Sequence, residues 1–253
     1  MKVFIINLER SLDRKEHMQK QIQKLFEINP SLKNKLEFIF FKAVDAKNKE
    51  HLEFKDHFPW WASWVLGREL SDGEKACFAS HYKLWQECVK LDEPIIILED
   101  DVEFSDEFLN HGAEYIDELL KSEYEYVRLY FIFFKKIYHL KNNFYISFKK
   151  ISGAQGYYLE VNAAKKYIKY AKYWIYPVDN YLDMFFKHGV LNIIKFPFLI
   201  KPRKNNESLI SPDGRNYVKP VGIRKIIREI CRFYANIFEV ILIFYIKRKW
   251  KLK

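Results

Sequence analysis

Pro94-Ile95-Ile96-Ile97-Leu98-Glu99-Asp100-Asp101-Val102 joins four large aliphatic residues directly to three acids. An uninterrupted apolar run of this length suits a strand covered on both faces, because a solvent-facing side would call for polar alternation. The acids then mark where the strand leaves the core. Open α/β sheets bind ligands in the crevice outside the carboxyl ends of their strands, so chemistry is expected at this junction. With extended backbone, Glu99 and Asp101 point to one side and Asp100 to the other. Two carboxylates on one side make a hard-oxygen chelate for Mg²⁺ or Mn²⁺, with phosphate oxygens and water completing the shell. Three adjacent carboxylates in poor solvent also repel one another, and a bound cation relieves that repulsion. An acidic turn that merely favours the next helix N-terminus reads the same way.

On either side of this junction strand and helix patterns alternate. Val3 to Ile6 reads as a buried strand, and Ser11 as the N-cap of a charged amphipathic helix that runs toward Ile28 and breaks at Asn29-Pro30. Leu36 to Val44 is a second strand candidate. Residues 47 to 70 lack clean periodicity and read as a long loop with short helical pieces, an excursion of the kind that usually serves function. Ser71 or Asp72 caps a helix to about Lys90, and another helix starts near Ser105. Tyr126 to Phe134 reads as strand, Gly153 to Leu159 as a glycine-spaced strand or turn, and Asn162 to Tyr173 as helix. Val178 to His188 reads as one further helix and Val190 to Lys195 as a strand. The alternation predicts a layered α/β domain with a mixed, mostly parallel sheet.

Composition narrows the functional classes. The chain has 253 residues, 49% of them hydrophobic, enough for one large domain and unlike a disordered chain. Three cysteines, Cys77, Cys88 and Cys231, form no metal-finger spacing and leave an odd count, which argues against a disulfide framework. No secretory-signal pattern opens the sequence and no uncharged apolar stretch reaches spanning length, so the expected place of work is cytoplasmic. The net charge is +10, but the last 34 residues carry nine basic residues against two acids, Glu229 and Glu239. The body is therefore close to neutral, which argues against a nucleic-acid groove. We divide the chain into a domain at 1–219 and a basic amphipathic helical tail at 220–253. The apolar run Ile237 to Ile246, flanked by Arg and Lys, suits an anchor on the anionic inner face of the cytoplasmic membrane. A helix packed on the domain with solvated charges is the alternative reading of the same pattern.

An ordered series of short motifs resembles glycosyltransferase family 25, the lipooligosaccharide biosynthesis glycosyltransferases. The series runs Ile6-Asn7-Leu8-Glu9-Arg10-Ser11, Asp13-Arg14, Ala43-Val44-Asp45, Leu70-Ser71, Gly73-Glu74, Cys77, Ser80-His81, Trp85, and Ile97 to Val102. It continues with Gly153 to Tyr158, Ala163-Ala164 and Pro177 to Leu182. The resemblance implies a GT-A type, Rossmann-like fold, a UDP-sugar donor, a divalent metal (Mn²⁺ or Mg²⁺) and inversion at the anomeric carbon. It also implies a glycan acceptor such as a lipid-linked lipooligosaccharide core, with galactose as the first choice of hexose. A metal-dependent nucleotidyl or phosphoryl transferase and a non-catalytic membrane scaffold are the competing readings; the absence of a P-loop weighs against the former.

Roles follow residue by residue. Glu99 and Asp101 are the metal-ligand candidates, with Asp100 beside them as a donor contact. Asn7, Arg10 and Arg14 follow the first strand, where arginine can grip phosphate bidentately. Asp45, after the second strand candidate, is placed to accept from uracil or ribose. Ser80 and His81 are candidate contacts to the donor or its metal. Gly153 and Gly156 allow close backbone approach to a sugar. Asp179 is the candidate general base for the acceptor hydroxyl, with Asp183 one helical turn later in reserve.

Overall fold

The first strand, β1 (Lys2–Asn7), sends Val3 and Ile5 to one core and Phe4 to the other. The structure, a computed structural model, describes residues 1–55, 59–133, 135–203 and 221–252. The described elements continue with α1 (Leu12–Ile28), β2 (Glu37–Lys42), α2 (Pro59–Val65), α3 (Asp72–Leu91), β3 (Ile95–Glu99), β4 (Val102–Phe104), α4 (Asp106–Lys121) and β5 (Tyr126–Arg128). Then come β6 (Ile137–His139), β7 (Phe144–Ser147), β8 (Gly156–Leu159), α5 (Val161–Tyr170), α6 (Val178–Leu182), α7 (Phe185–His188), β9 (Asn192–Lys195), β10 (Ile200–Pro202) and α8 (Ile223–Lys249).

Eight strands form one sheet in the order β2-β1-β3-β8-β5-β9-β7-β6. It is mixed, as expected, but its parallel share is smaller than strand–helix alternation implies. β1 pairs in parallel with β2 and β3, and β5 with β9; the junctions β3–β8, β5–β8, β7–β9 and β6–β7 are antiparallel. Helices cover both faces, which is why Ile95 to Leu98 need no polar alternation. Ile96 and Leu98 join Met18 and Leu25 of α1 and Phe108 and Ile116 of α4. Ile95 and Ile97 join Phe78 and Trp85 of α3, Tyr167 of α5 and Tyr181 of α6.

Three expectations change. The strand expected over Tyr126 to Phe134 pairs only through Arg128, because Phe131 turns away into a small third core with Ile151 and Ile194; Phe134 lies outside the described residues. The single helix expected over Val178 to His188 breaks into α6 and α7, since Asp183 caps α6 and turns its carboxylate into the interior. Ser11 precedes α1 as expected but makes no capping bond through its side chain.

The boundary proposed at 219/220 lies outside the described residues. Beyond it, α8 rests against α2 and α7, and its far end joins the body. Ile246 is buried in the first core, Trp250 meets Tyr124, and the Lys247 ammonium sits 4.2 Å from the Tyr138 ring centroid. No helix among the described residues is long and apolar enough to cross a membrane.

Candidate active site

Because β1 lies between β2 and β3, the chain leaves its carboxyl end with parallel neighbours on both sides, and a crevice opens there. One wall is the start of α3. Ser71 closes a capping box with Glu74, which also receives a bidentate pair from Arg68 at 2.6 and 2.7 Å. Ser80 Oγ donates to the Ala76 carbonyl and accepts from Val44 N, both at 2.9 Å. That clasp ties α3 to the loop after β2 and occupies the hydroxyl, so Ser80 serves the wall, although it borders the crevice.

One turn apart on α3, Cys77 and His81 face the end of β3. His81 is fully buried. Its Nδ1 lies 2.8 Å from the Tyr157 hydroxyl, which also accepts from Trp85 Nε1 at 2.9 Å. Its Nε2 is 3.5 Å from Glu99 Oε1 and makes no hydrogen bond among the described residues. Burial lowers the His81 pKa to about 3, so the ring is neutral.

The strand ends at Glu99, and a turn through Asp100 and Asp101 supplies the separation of side chains expected from extended backbone. Asp100 faces inward, with Oδ2 accepting from Asn7 Nδ2 at 2.7 Å and Oδ1 from Arg14 at 3.0 Å. Asn7 also donates to the Ser11 carbonyl. Asp100 and Asn7 are thus committed to fixing Arg14 and the first loop. Glu99 and Asp101 face outward. Burial, then the neighbouring carboxylates Asp100 and Asp179, push Glu99 up to about 7, against Arg14. Burial and then Glu99 push Asp101 up to about 7, again against Arg14, which lies 3.9 Å away. Asp101 Oδ1 is buried without a hydrogen-bond partner among the described residues.

Two clefts meet at these carboxylates. The first, with an empty volume of about 790 Å³, is bordered by Leu8, Arg10, Arg14, Val44, Ala76 and His81. The second, of about 1130 Å³, is bordered by Arg68, Gln155, Gly153, Pro177 and Asp179. Cys77, Glu99 and Asp101 border both. Burial raises the Asp179 pKa, opposed mainly by the Asn180 backbone amide. Asp45 pairs with Arg10 and accepts from Lys47 N at 2.8 Å, beside a smaller depression next to the first cleft.

Two candidates are differently employed. Asp183 is buried with both oxygens taken: Oδ1 by Arg128 (2.9 Å) and Asn192 (3.1 Å), Oδ2 by Ser152 N (2.9 Å). It therefore faces neither cleft. Gly156 is packed so closely that a Cβ there would lie 2.4 Å from Ile200 Cδ1 and 2.7 Å from Leu98 Cδ2, which makes it a spacer between layers. Gly153, at φ +91°, borders the second cleft, and its carbonyl accepts from Arg128. Sequence reasoning passed over Cys77, Arg68 and Gln155 as site residues. Gln155 brings a buried Oε1 without a hydrogen-bond partner among the described residues. Only Cys77 carried a signal, its i, i+4 spacing to His81.

The divalent ion implied by the resemblance finds a fitting donor set, since Asp101 Oδ1 and His81 Nε2 are buried, unsatisfied and adjacent to the Glu99 carboxylate. A carboxylate-rimmed crevice at a switch point of an α/β sheet marks an α/β domain with a ligand site at the carboxyl ends of its strands. Its particular kind is given by comparison: residues 1–182 match the model of glycosyltransferase family 25 (LPS biosynthesis protein), and the chain belongs to that family. It is 34% identical to procollagen lysyl hydroxylase and glycosyltransferase of Acanthamoeba polyphaga mimivirus, over 47% of this chain and 14% of that protein. It is 32% identical to lipooligosaccharide biosynthesis protein lic2B of Haemophilus influenzae, over 64% and 60%. It is 28% identical to procollagen galactosyltransferase 2 of Homo sapiens, over 51% and 20%. The chain thus spans less than two thirds of the length of each of these relatives.

Proposed function

We propose that this chain transfers a hexose, galactose first, from a UDP-sugar to a lipid-linked surface-glycan acceptor of the lipooligosaccharide kind, with inversion. The observation that carries the reading is the meeting of two clefts at Glu99 and Asp101, with Asp179 across the second. UDP fits the first cleft, whose apolar floor suits a base and whose Arg10 and Arg14 suit a diphosphate. The sugar and the acceptor then belong in the second. Glu99 and Asp101 would hold Mn²⁺ or Mg²⁺, which offsets the charge that builds on the departing diphosphate. Asp179 takes the proton of the attacking hydroxyl, and the burial that raises its pKa makes it the better base. The test is UDP release across a panel of UDP-hexoses, with and without EDTA. Release from one sugar, abolished by EDTA and lowered about 100-fold in Asp179→Asn with UDP binding intact, is the expected result. Nucleotide-independent behaviour, or release indifferent to both changes, overturns the reading.

Membrane attachment is part of the same proposal. On α8, Ile226, Ile230, Phe233, Phe238, Ile241 and Phe244 stand exposed along one side, while Arg224 turns to the Trp64 ring of α2. An apolar stripe facing outward and ending in Lys247, Arg248 and Lys249 suits the interface of an anionic bilayer, with the enzyme peripheral on the inner face of the cytoplasmic membrane. Sedimentation with phosphatidylglycerol vesicles is expected to retain the protein and to lose it, about 10-fold or more, in the double variant Phe238→Glu, Phe244→Glu. Equal retention of the variant removes α8 as the anchor.

A further inference from the structure

We infer that the acceptor enters the second cleft with an uncharged terminal sugar and leaves an anionic linkage group outside. That group, a phosphate next to the lipid, meets a basic rim made by Arg224, Lys225, Arg228 and Arg232 of α8. Both statements rest on the transferase reading of the cleft, and they go beyond it in naming the charge at each end of the acceptor.

Three observations carry the inference. The first half of α8 stands beside the cleft at two places. At one, α8 packs on α2, where the Arg224 guanidinium carbon lies 5.7 Å from the Trp64 ring centroid. The chain then runs from Trp64 within a few residues to Arg68, which borders the cleft. At the other, Tyr176 lies against α8. Burial pushes its hydroxyl up, Cys231 adds to the shift, and Arg232 and Arg228 oppose it. Its chain neighbour Pro177 borders the cleft, close to Asp179.

The second observation is that the rim and the interior carry opposite charge. Between Ile223 and Arg232 four basic residues stand against one acid, Glu229, which pairs with Arg232. Inside the cleft, the described lining holds the carboxylates Glu74, Glu99, Asp101 and Asp179 and one cation, Arg68. That guanidinium is committed to Glu74 through bonds of 2.6 and 2.7 Å. The ion proposed at Glu99 and Asp101 is matched by the donor diphosphate, so Asp179 sets the charge that an arriving acceptor meets. A carboxylate on the terminal sugar, about 5 Å from Asp179 at an effective dielectric of about 20, would weaken binding on the order of 100-fold. An uncharged sugar escapes that repulsion.

The third observation is that the rim is apolar as well as basic. Ile226, Ile230 and Phe233 stand exposed among its charged residues. An alkyl chain and its phosphate thus find apolar surface and guanidinium groups together, and arginine binds phosphate oxygens through paired N–H donors.

The test uses the full chain with Mn²⁺, a UDP-hexose and undecyl-linked hexosides that differ in one group at a time. A phosphodiester between sugar and chain should lower KM at least 10-fold relative to a direct glycosidic link. Salt at about 0.5 M should remove most of that gain. Oxidising C6 of the acceptor hexose to a carboxylate should lower kcat/KM about 100-fold. The double variant Arg224→Glu, Lys225→Glu should abolish the benefit of the phosphate, with UDP affinity and circular dichroism unchanged. Equal KM with and without the phosphate, or equal use of the hexuronide, overturns the inference. A double variant that loses phosphatidylglycerol vesicles yet keeps the benefit of the phosphate gives the rim to the bilayer, and overturns it too. Calorimetry with dodecyl phosphate and dodecyl glucoside, below micelle formation, reads the rim without turnover. The phosphate should bind at least 10-fold more tightly than the glucoside, and equally tight inorganic phosphate would mark a simple anion site instead. A chain that prefers dodecyl phosphate yet releases no UDP from any UDP-hexose fails only the proposed activity. A chain that transfers hexose equally well to both linkages fails only this inference.

Discussion

Glu99 and Asp101 border the second cleft while Asp183 is buried away from it, and the chemistry of the two carboxylate centres is opposite. Around Asp183, every oxygen is met by Arg128, Asn192 or the Ser152 amide. Around Glu99 and Asp101, the only cation within 4 Å of Asp101 among the described residues is Arg14 at 3.9 Å, and that guanidinium is already closer to Asp100. One centre is saturated and the other is held short of partners, and burial makes that shortage consequential. The difference teaches how a fold separates acids that hold it together from acids left free to meet a ligand.

Removing one half of the saturated pair is expected to do the most damage. Arg128→Ala leaves Asp183 charged and unpaired in the interior and should cost about 3–5 kcal/mol of stability, read by urea denaturation. A loss below 1 kcal/mol would erase the contrast between the two centres. At the other centre, Asp101→Asn relieves repulsion, so its stability should match or exceed that of the wild type. Its UDP release should nonetheless fall about 100-fold. Parallel loss of fold and turnover would place Asp101 with Asp183.

A smaller effect sharpens the comparison through pH. The folded pKa of Asp101 is raised to about 7 from an ordinary 3.8. Between those values the folded chain keeps a proton that the unfolded chain has lost, so the stabilising contribution is full below the lower value, drains away as pH rises from one value to the other, and is gone once pH has passed through 7. Glu99 shifts in the same direction, and the two titrate as a pair. In EDTA, the wild type should lose roughly 3–4 kcal/mol relative to Asp101→Asn between pH 4 and 8. Denaturation curves at several pH values measure it, and a flat difference sinks the account. Using the difference cancels carboxylates shifted the other way, such as Asp72 and Asp117, each held low by a lysine.

Much of this was legible in the sequence. Ile95 to Leu98 announced a doubly covered strand, and Ser71 or Asp72 and Ser105 marked helix starts, where the two serines do the capping. The short strands β4, β6, β7 and β10 were not legible, because three or four residues carry too little period to separate strand from loop. The site was legible as far as its acids. Which acids are free depended on Asn7 and Arg14, 93 and 86 positions from Asp100, and on Arg128, 55 from Asp183.

By itself, then, the sequence determined local matters: a buried strand running into three acids, helix starts, a basic tail, and the motif order of a glycosyltransferase family. Local pattern suffices there because periodicity and capping act within a turn or two of chain. Tertiary structure alone decided the division of labour among identical carboxylates, the meeting of Cys77, His81 and Glu99, and the outward turn of the apolar side of α8. A carboxylate's role is set by the partners and the burial that surround it, and those come from residues distant in sequence.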